Sequence, residues 1–297
     1  MTEQMSSAEL NQQPALPGLP PTAGTDDVGL AKLAQQLRST AADGLMDPQY
    51  RVELRRQVLD THPARTRDLT KGSIPAYWRV PVPGGTLFVA TVEGLITCTD
   101  LTEDEPLFIR ECMARFGMMP QRAEPPAGLA RAIQGFVAHG RFRGKLNLTG
   151  VPAFQQRVLL KAMEIPRGEV RPYQWLAREA GQPQAARAVG TAMAHNPIPI
   201  LIPCHRVVRS DYRIGEYGCG GPAKKKELLQ LEGVDVGLLE RMAAGGRRFL
   251  ASRTTRIFCL PVCSAARRIQ EENRVFLADD AQARAAGFRP CRKCRPA

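Results

Sequence analysis

No apolar run in the 297-residue sequence approaches the roughly 20 positions that a membrane-spanning helix requires, so no membrane partner is expected. The opening residues are polar and proline-rich and lack the apolar stretch of a secretory signal, so a cytoplasmic, nucleoid-associated chain is expected. Internal repeats are lacking too, which excludes solenoid and propeller arrays. Negative charge is in short supply: 29 Asp and Glu stand against 41 Lys and Arg, a net +12 that points to a polyanionic partner.

That excess is concentrated at one end. Residues 241–297 hold twelve Arg and Lys293 against Glu271, Glu272, Asp279 and Asp280, so +9 of the +12 lies there, which reads as a nucleic-acid footprint. With 43% hydrophobic and 24% charged residues the chain is of the soluble globular kind, and its length suggests two or three domains. Of its eight cysteines four cluster near the end, and in an intracellular setting metal binding or catalysis explains such a cluster better than disulfides.

Residues 1–44 are rich in Gln, Pro, Ser, Thr and Ala and read as a disordered tail, with a short amphipathic helix at 30–37. In 45–148, alternating apolar positions from Thr86 to Thr97 behind the turn Pro83-Gly84-Gly85 predict a strand pair, and helices follow at 106–116 and 129–138. From Phe154 the period becomes helical through Val158, Leu159 and Met163, ending at Ile165-Pro166-Arg167-Gly168. Two short helices at 173–180 and 183–194, split by Gly181, have the length of a helix-turn-helix within a segment 149–238. The break Gly245-Gly246-Arg247-Arg248 introduces a last segment, 246–297.

The run Asn196-Pro197-Ile198-Pro199-Ile200-Leu201-Ile202-Pro203-Cys204-His205-Arg206-Val207 holds the strongest chemical signal. Its prolines exclude a helix and predict an extended path with Cys204 buried at its end. Such a sulfur is inert unless a base or dipole draws off its proton, and adjacent side chains cooperate only if the chain turns between them. A bare Cys-His pair reads as core packing; with Asn196 and the prolines, the run resembles the signature of the O6-alkylguanine-DNA alkyltransferase family. The resemblance extends from about Gly150 to Gly233.

That resemblance implies that Cys204 accepts the alkyl group and that a relay of Glu232, His205 and water removes its proton, with Asn196 bracing the turn. It implies that the lesion base is rotated out of the duplex, at a cost of a few kcal/mol. Arg187 would fill the gap in the stack and Tyr173 would crowd the phosphate. Met193, the Val207 backbone, Ser210 and the backbone of Cys219 would line the pocket. The loop Tyr217-Gly218-Cys219-Gly220-Gly221 departs from the family: aligned back from Glu232, Gly218 takes the place of the usual tyrosine. The departure puts stabilisation of the leaving group by a tyrosine in doubt and implies a more open loop that accepts larger alkyl groups.

Cys259-x3-Cys263-x27-Cys291-x2-Cys294 has the spacing of a tetrahedral zinc site. Around it, Arg253 to Cys259 and Ala286 to Pro296 resemble the zinc domain of Ada-type adaptive-response proteins. The likeness implies one zinc ion and a second methyl acceptor, Cys259, for backbone phosphotriesters; DNA docking alone is the other reading. The domain sits at the opposite end of the chain from the Ada plan, with no second helix-turn-helix behind it, which argues against promoter activation.

The expected fold is α+β multidomain: a ribonuclease-H-like mixed sheet domain, a winged-helix-like helical domain and a small zinc module held by four cysteines. The expected function is single-turnover transfer from O6-alkylguanine, with O4-alkylthymine as a second substrate, in double-stranded DNA by a monomer without an organic cofactor. A zinc-dependent damage sensor or transcriptional regulator is the competing reading. A Cys-His hydrolase would require an oxyanion-hole motif, and the sequence shows none.

Overall fold

Two glycine turns set the first sheet. Pro83-Gly84, with Gly84 at φ 95°, joins β1 (Ala76–Val82) to β2 (Gly85–Val92); Glu93-Gly94, both at positive φ, joins β2 to β3 (Leu95–Leu101). This computed structural model describes residues 73–296 except 127, 141 and 143, so the expected tail and its helix at 30–37 lie outside the described residues. The short β4 (Gln121–Arg122) pairs parallel with β1, giving the order β3-β2-β1-β4. Strand β1 has no counterpart in the sequence reading, although Trp78 and Val80 alternate as buried positions with the exposed Arg79 and Pro81.

Alternation along β2 sorts two cores. Phe88 and Ala90 face Phe108, Cys112 and Phe116 of helix α1 (Glu105–Phe116), while Leu87 and Val89 join the larger core with Ile133 and Phe136 of α2 (Leu129–His139). Helix α1 starts at Asp104, whose Oδ1 accepts the Leu107 N–H at 2.8 Å, and stops at Gly117 in the left-handed region.

The outer edge of β3 is occupied by loops. Ile96 exchanges backbone hydrogen bonds with Lys145 and Asn147, and Thr99 donates to the proline segment through its N–H to the Pro197 carbonyl (3.0 Å) and its hydroxyl to the Pro199 carbonyl (2.6 Å). The sheet thereby fixes the segment that carries Cys204.

Helix α3 (Ala153–Met163), the pair α4 (Tyr173–Glu179) and α5 (Ala186–Ala194), and α6 (Gly221–Leu231) with α7 (Val236–Ala244) surround that segment. Two-residue strands β5 (Arg171–Pro172) and β6 (Val207–Val208) pair in parallel just after it. The last part is a second sheet, order β10-β8-β7-β9, built from β7 (Phe249–Ser252), β8 (Ile257–Cys259), β9 (Arg274–Leu277) and β10 (Arg289–Pro290), with α8 (Asp280–Ala285) beside β9. One hydrophobic core runs without a break from Trp78 to Cys294. No helix among the described residues is long and apolar enough to cross a membrane.

Candidate active site and cysteine cluster

The proline segment folds into a tight turn instead of the extended path expected. Ile202 N–H reaches back to the Ile198 carbonyl at 2.9 Å and Ile200 takes φ 72°, a conformation that costs a β-branched residue strain and persists only where its surroundings hold it. Ile198, Leu201 and Ile202 are fully buried around it. The chain then makes one 3-10 turn over Cys204–Arg206, the turn that adjacent Cys and His need if they are to cooperate.

Asn196 stitches this turn. Its Oδ1 accepts the Ile198 N–H at 3.0 Å, and its Nδ2 donates both to the Ile202 carbonyl at 2.9 Å and to the Cys204 sulfur at 3.2 Å. Burial pushes the Cys204 thiol up, while Asn196, the Lys225 charge and Tyr217 pull the other way; upward wins, so the resting sulfur is protonated. A thiolate forms only when something takes that proton.

The next residue, His205, is held by Glu232. Glu232, at the C-terminal cap of α6, is 12% exposed, not the solvated helix end that its position alone suggests. Burial raises its carboxyl, but hydrogen bonds and charge from His205 and Arg206 outweigh this and hold it at about 2. Burial also pushes the His205 imidazole below its ordinary value, so it is neutral at rest and the Glu232 anion leans on Arg206, whose Nε and Nη2 reach it at 2.9 and 2.7 Å. An ionised carboxylate only accepts, so His205 Nε2, 3.0 Å from Glu232 Oε1, carries the ring hydrogen. Nδ1 is left with its lone pair, buried and without a protein partner among the described residues.

Three residues that the sequence reading passed over complete the site. Arg206 holds Glu232 and also donates to the Ile165 carbonyl at 2.6 Å. Lys225 is fully buried, its Nζ 5.8 Å from the Tyr173 ring centre, and burial pushes it down to about 8 while the Cys204 charge pulls it back up. Tyr217, one position before Gly218, puts its phenol in the site: its ring stands edge-on to His205 at 6.5 Å, and its buried hydroxyl acts on the Cys204 and Cys219 sulfurs without an aligned hydrogen bond to either. A tyrosine side chain is therefore present despite the shifted loop, in which Tyr217 and Cys219 are buried and Gly218 and Gly220 exposed.

The remaining expected residues divide by position. Tyr173 opens α4 half-buried, Met193 is buried on α5, Val207 lies in β6, and Ser210 follows half-buried. Arg187 stands on the exposed face of α5, beside Ala188 and Thr191 and with no acidic residue between Gly181 and His195.

The sulfurs of Cys259, Cys263, Cys291 and Cys294 are buried and lie within 4.8 Å of one another. Thiolates on a tetrahedral zinc at about 2.3 Å stand roughly 3.8 Å apart, so donor type and spacing fit that ion.

Two family profiles match the chain: "6-O-methylguanine DNA methyltransferase, DNA binding domain" over residues 153–234 and "Metal binding domain of Ada" over 239–297. A methylated-DNA–protein-cysteine methyltransferase of Mycolicibacterium paratuberculosis is 37% identical over 150 residues, 48% of this chain and 90% of that protein. The mouse protein of the same name is 55% identical over 92 residues, 29% of this chain but only 44% of its own length, so the chain spans less than half of that relative. A solved Mycobacterium tuberculosis O6-methylguanine methyltransferase is 35% identical and overlaps 54% of this chain and 93% of its own, with a TM-score of 0.44.

Proposed function

The chain belongs to the methylated-DNA–protein-cysteine methyltransferase family, and from that premise we propose that it repairs DNA by moving an alkyl group from O6 of guanine onto Cys204, irreversibly and once per molecule. One observation carries the reading. The Cys204 sulfur accepts a hydrogen bond from Asn196 in the same buried turn where the neighbouring imidazole, tied by Nε2 to an ionised Glu232, keeps an unprotonated Nδ1.

The chemistry balances within the protein and the lesion. Through a bridging water, Nδ1 takes the thiol proton, and the resulting imidazolium is held by Glu232. The sulfur attacks the alkyl carbon from behind, the S–C bond forms as the C–O6 bond breaks, and the departing electron pair leaves guanine needing one proton, which Tyr217 donates while its phenolate takes back, through water, the proton held by the imidazolium. The transfer needs no organic cofactor. Asn196 and Lys225 stabilise the thiolate as it forms. Duplex DNA lies against α5, with Arg187 filling the gap left by the rotated nucleotide and Tyr173 crowding its phosphate. Met193, the Val207 and Cys219 backbones and Ser210 line the pocket, and O4-alkylthymine presents the same bond to the sulfur.

In this reading a ribonuclease-H-like part (45–148), a winged-helix-like part (149–238) and a zinc module (246–297) act as one monomer. Cys259, Cys263, Cys291 and Cys294 hold one zinc ion, which keeps them as thiolates with a net charge of about −2. Cys259 is the proposed second acceptor, taking a methyl from a phosphotriester and restoring the charged phosphodiester. That exchange removes negative charge beside DNA and tightens binding. A cysteine still in place beside its base favours repair over a sensor that only recognises lesions.

The deciding experiment is intact-protein mass spectrometry after incubation with O6-methylguanine duplex. One methyl per molecule on Cys204, absent in Cys204→Ala with zinc content unchanged, is the expected result; unmodified protein after a full equivalent of lesion has disappeared refutes it. Repeating it with methylphosphotriester DNA and Cys259→Ala separates a second acceptor from docking alone.

A further inference from the structure

The zinc module is locked into the first helix of the helix-turn-helix by buried contacts. Trp175 of α4 is 5% exposed, and its indole N–H donates to the carbonyl of Cys294 at 2.8 Å. Arg171 and Arg295 place their guanidinium groups 5.4 and 5.8 Å from the Trp175 ring centre, one from each module. Arg295 also accepts from Arg178 through its carbonyl at 2.6 Å and pairs with Glu179 at 2.6 Å.

A second junction lies deeper. Glu169 and Arg171 form an ion pair at 2.7 Å with side chains 1% and 4% exposed, and the other Glu169 oxygen accepts the N–H of Ser264, the residue after Cys263, at 2.8 Å. Arg171 belongs to β5, which pairs with Val207 of β6, immediately after the Cys204 turn. Two of the four cluster cysteines are therefore one residue or less from groups that satisfy buried partners beside the DNA-binding helices.

We propose that metal occupancy of the four-cysteine cluster sets the order of α4 and of the β5–β6 pair, so that the tail is a working part of the O6-guanine site and controls its hold on DNA. With the cluster closed, the loops at 263–264 and 294–295 are fixed and present their backbone groups to Glu169 and Trp175. With it open, the loops lose their tether, and a buried indole N–H and a buried carboxylate oxygen lose their partners, an arrangement that α4 relieves by loosening. The proposal rests on the alkyltransferase reading for its consequence, though not for the coupling.

The test uses the full chain loaded with zinc, stripped by a strong chelator, and reloaded. Hydrogen exchange over residues 169–179 and affinity for undamaged duplex read the coupling without any alkyl chemistry. Stripping is expected to abolish protection in that segment and to weaken duplex binding about tenfold or more, with zinc restoring both. Trp175→Phe, which keeps an aromatic ring and removes the donor, is expected to lose part of that protection at unchanged zinc content. Unchanged protection over 169–179 on stripping overturns the proposal even if affinity falls, because loss of the tail's own phosphate contacts then explains the fall. Zinc-loaded protein that accepts no alkyl group from O6-methylguanine duplex overturns the reading of Cys204, and the exchange data still decide the coupling.

Discussion

Glu232 serves three neighbours with one carboxylate: His205, Arg206 and the Gly168 N–H. Removing its charge leaves Arg206 buried without its anion, so Glu232→Gln is expected to cost about 3 kcal/mol in urea unfolding, the low end for a broken buried pair because the side chain is slightly exposed. The same carboxyl links stability to acid. Its folded value near 2 lies below the ordinary 4.5, so its contribution, roughly 3 kcal/mol, is complete above pH 4.5 and fades as the pH falls toward 2. Transfer rate has a different profile. In the proposed transfer the base is neutral His205, depressed by burial, so the rate is expected to hold through neutral pH and fall only below 6.5; Lys225, at about 8, sheds the charge that assists the sulfur and adds an alkaline limb. Single-turnover rates across pH 5 to 10 check both limbs, and Lys225→Met is expected to remove the alkaline one.

At the scale of elements, what is readable in the sequence depends on whether a local pattern exists. The helices α1, α2, α3 and the α4–α5 pair follow from apolar period and punctuation, and each falls within a few residues of its expected bounds. Lys225 escapes such a reading because Lys224-Lys225-Lys226 looks like a solvated run, yet helix spacing places 225 with Leu228, Leu229 and Glu232 on the buried face. That spacing is the available signal. Nothing local announces the left-handed Ile200, since tertiary contacts from β3 impose that turn, nor the grip of Arg206 on a carboxylate 26 residues away. The zinc spacing and the Cys204 signature are legible because close pairs, Cys259-x3-Cys263 and Cys291-x2-Cys294, and one contiguous run carry them. Gly168 shows how tightly the pieces meet: at φ 78°, an added Cβ would stand 3.0 Å from the Glu232 carbonyl. Gly168→Ala is expected to cost more than about 1 kcal/mol in unfolding and to slow transfer by displacing Glu232.

Over the whole molecule, charge is arranged toward one partner. Arg247 and Arg248 are exposed in the connection to the zinc module, where they line an open cleft with Ser210 and Asp211, and the Arg248 carbonyl accepts from the buried Tyr212 at 2.7 Å. If both arginines meet phosphates, Arg247→Ala with Arg248→Ala lowers the slope of log affinity against log salt by about 2 while leaving sequence preference alone. An unchanged slope in a salt titration places the duplex elsewhere.

A molecule that reacts once, as proposed above, is lost to any stray electrophile that finds its sulfur first. At 5% exposure, and with burial holding the thiol in its protonated form, Cys204 is shielded from small diffusing alkylators and oxidants. Iodoacetamide is therefore expected to label it more slowly at pH 7 than free cysteine. Discrimination between damage and noise is thus set before any lesion is met, by where the thiol is stored.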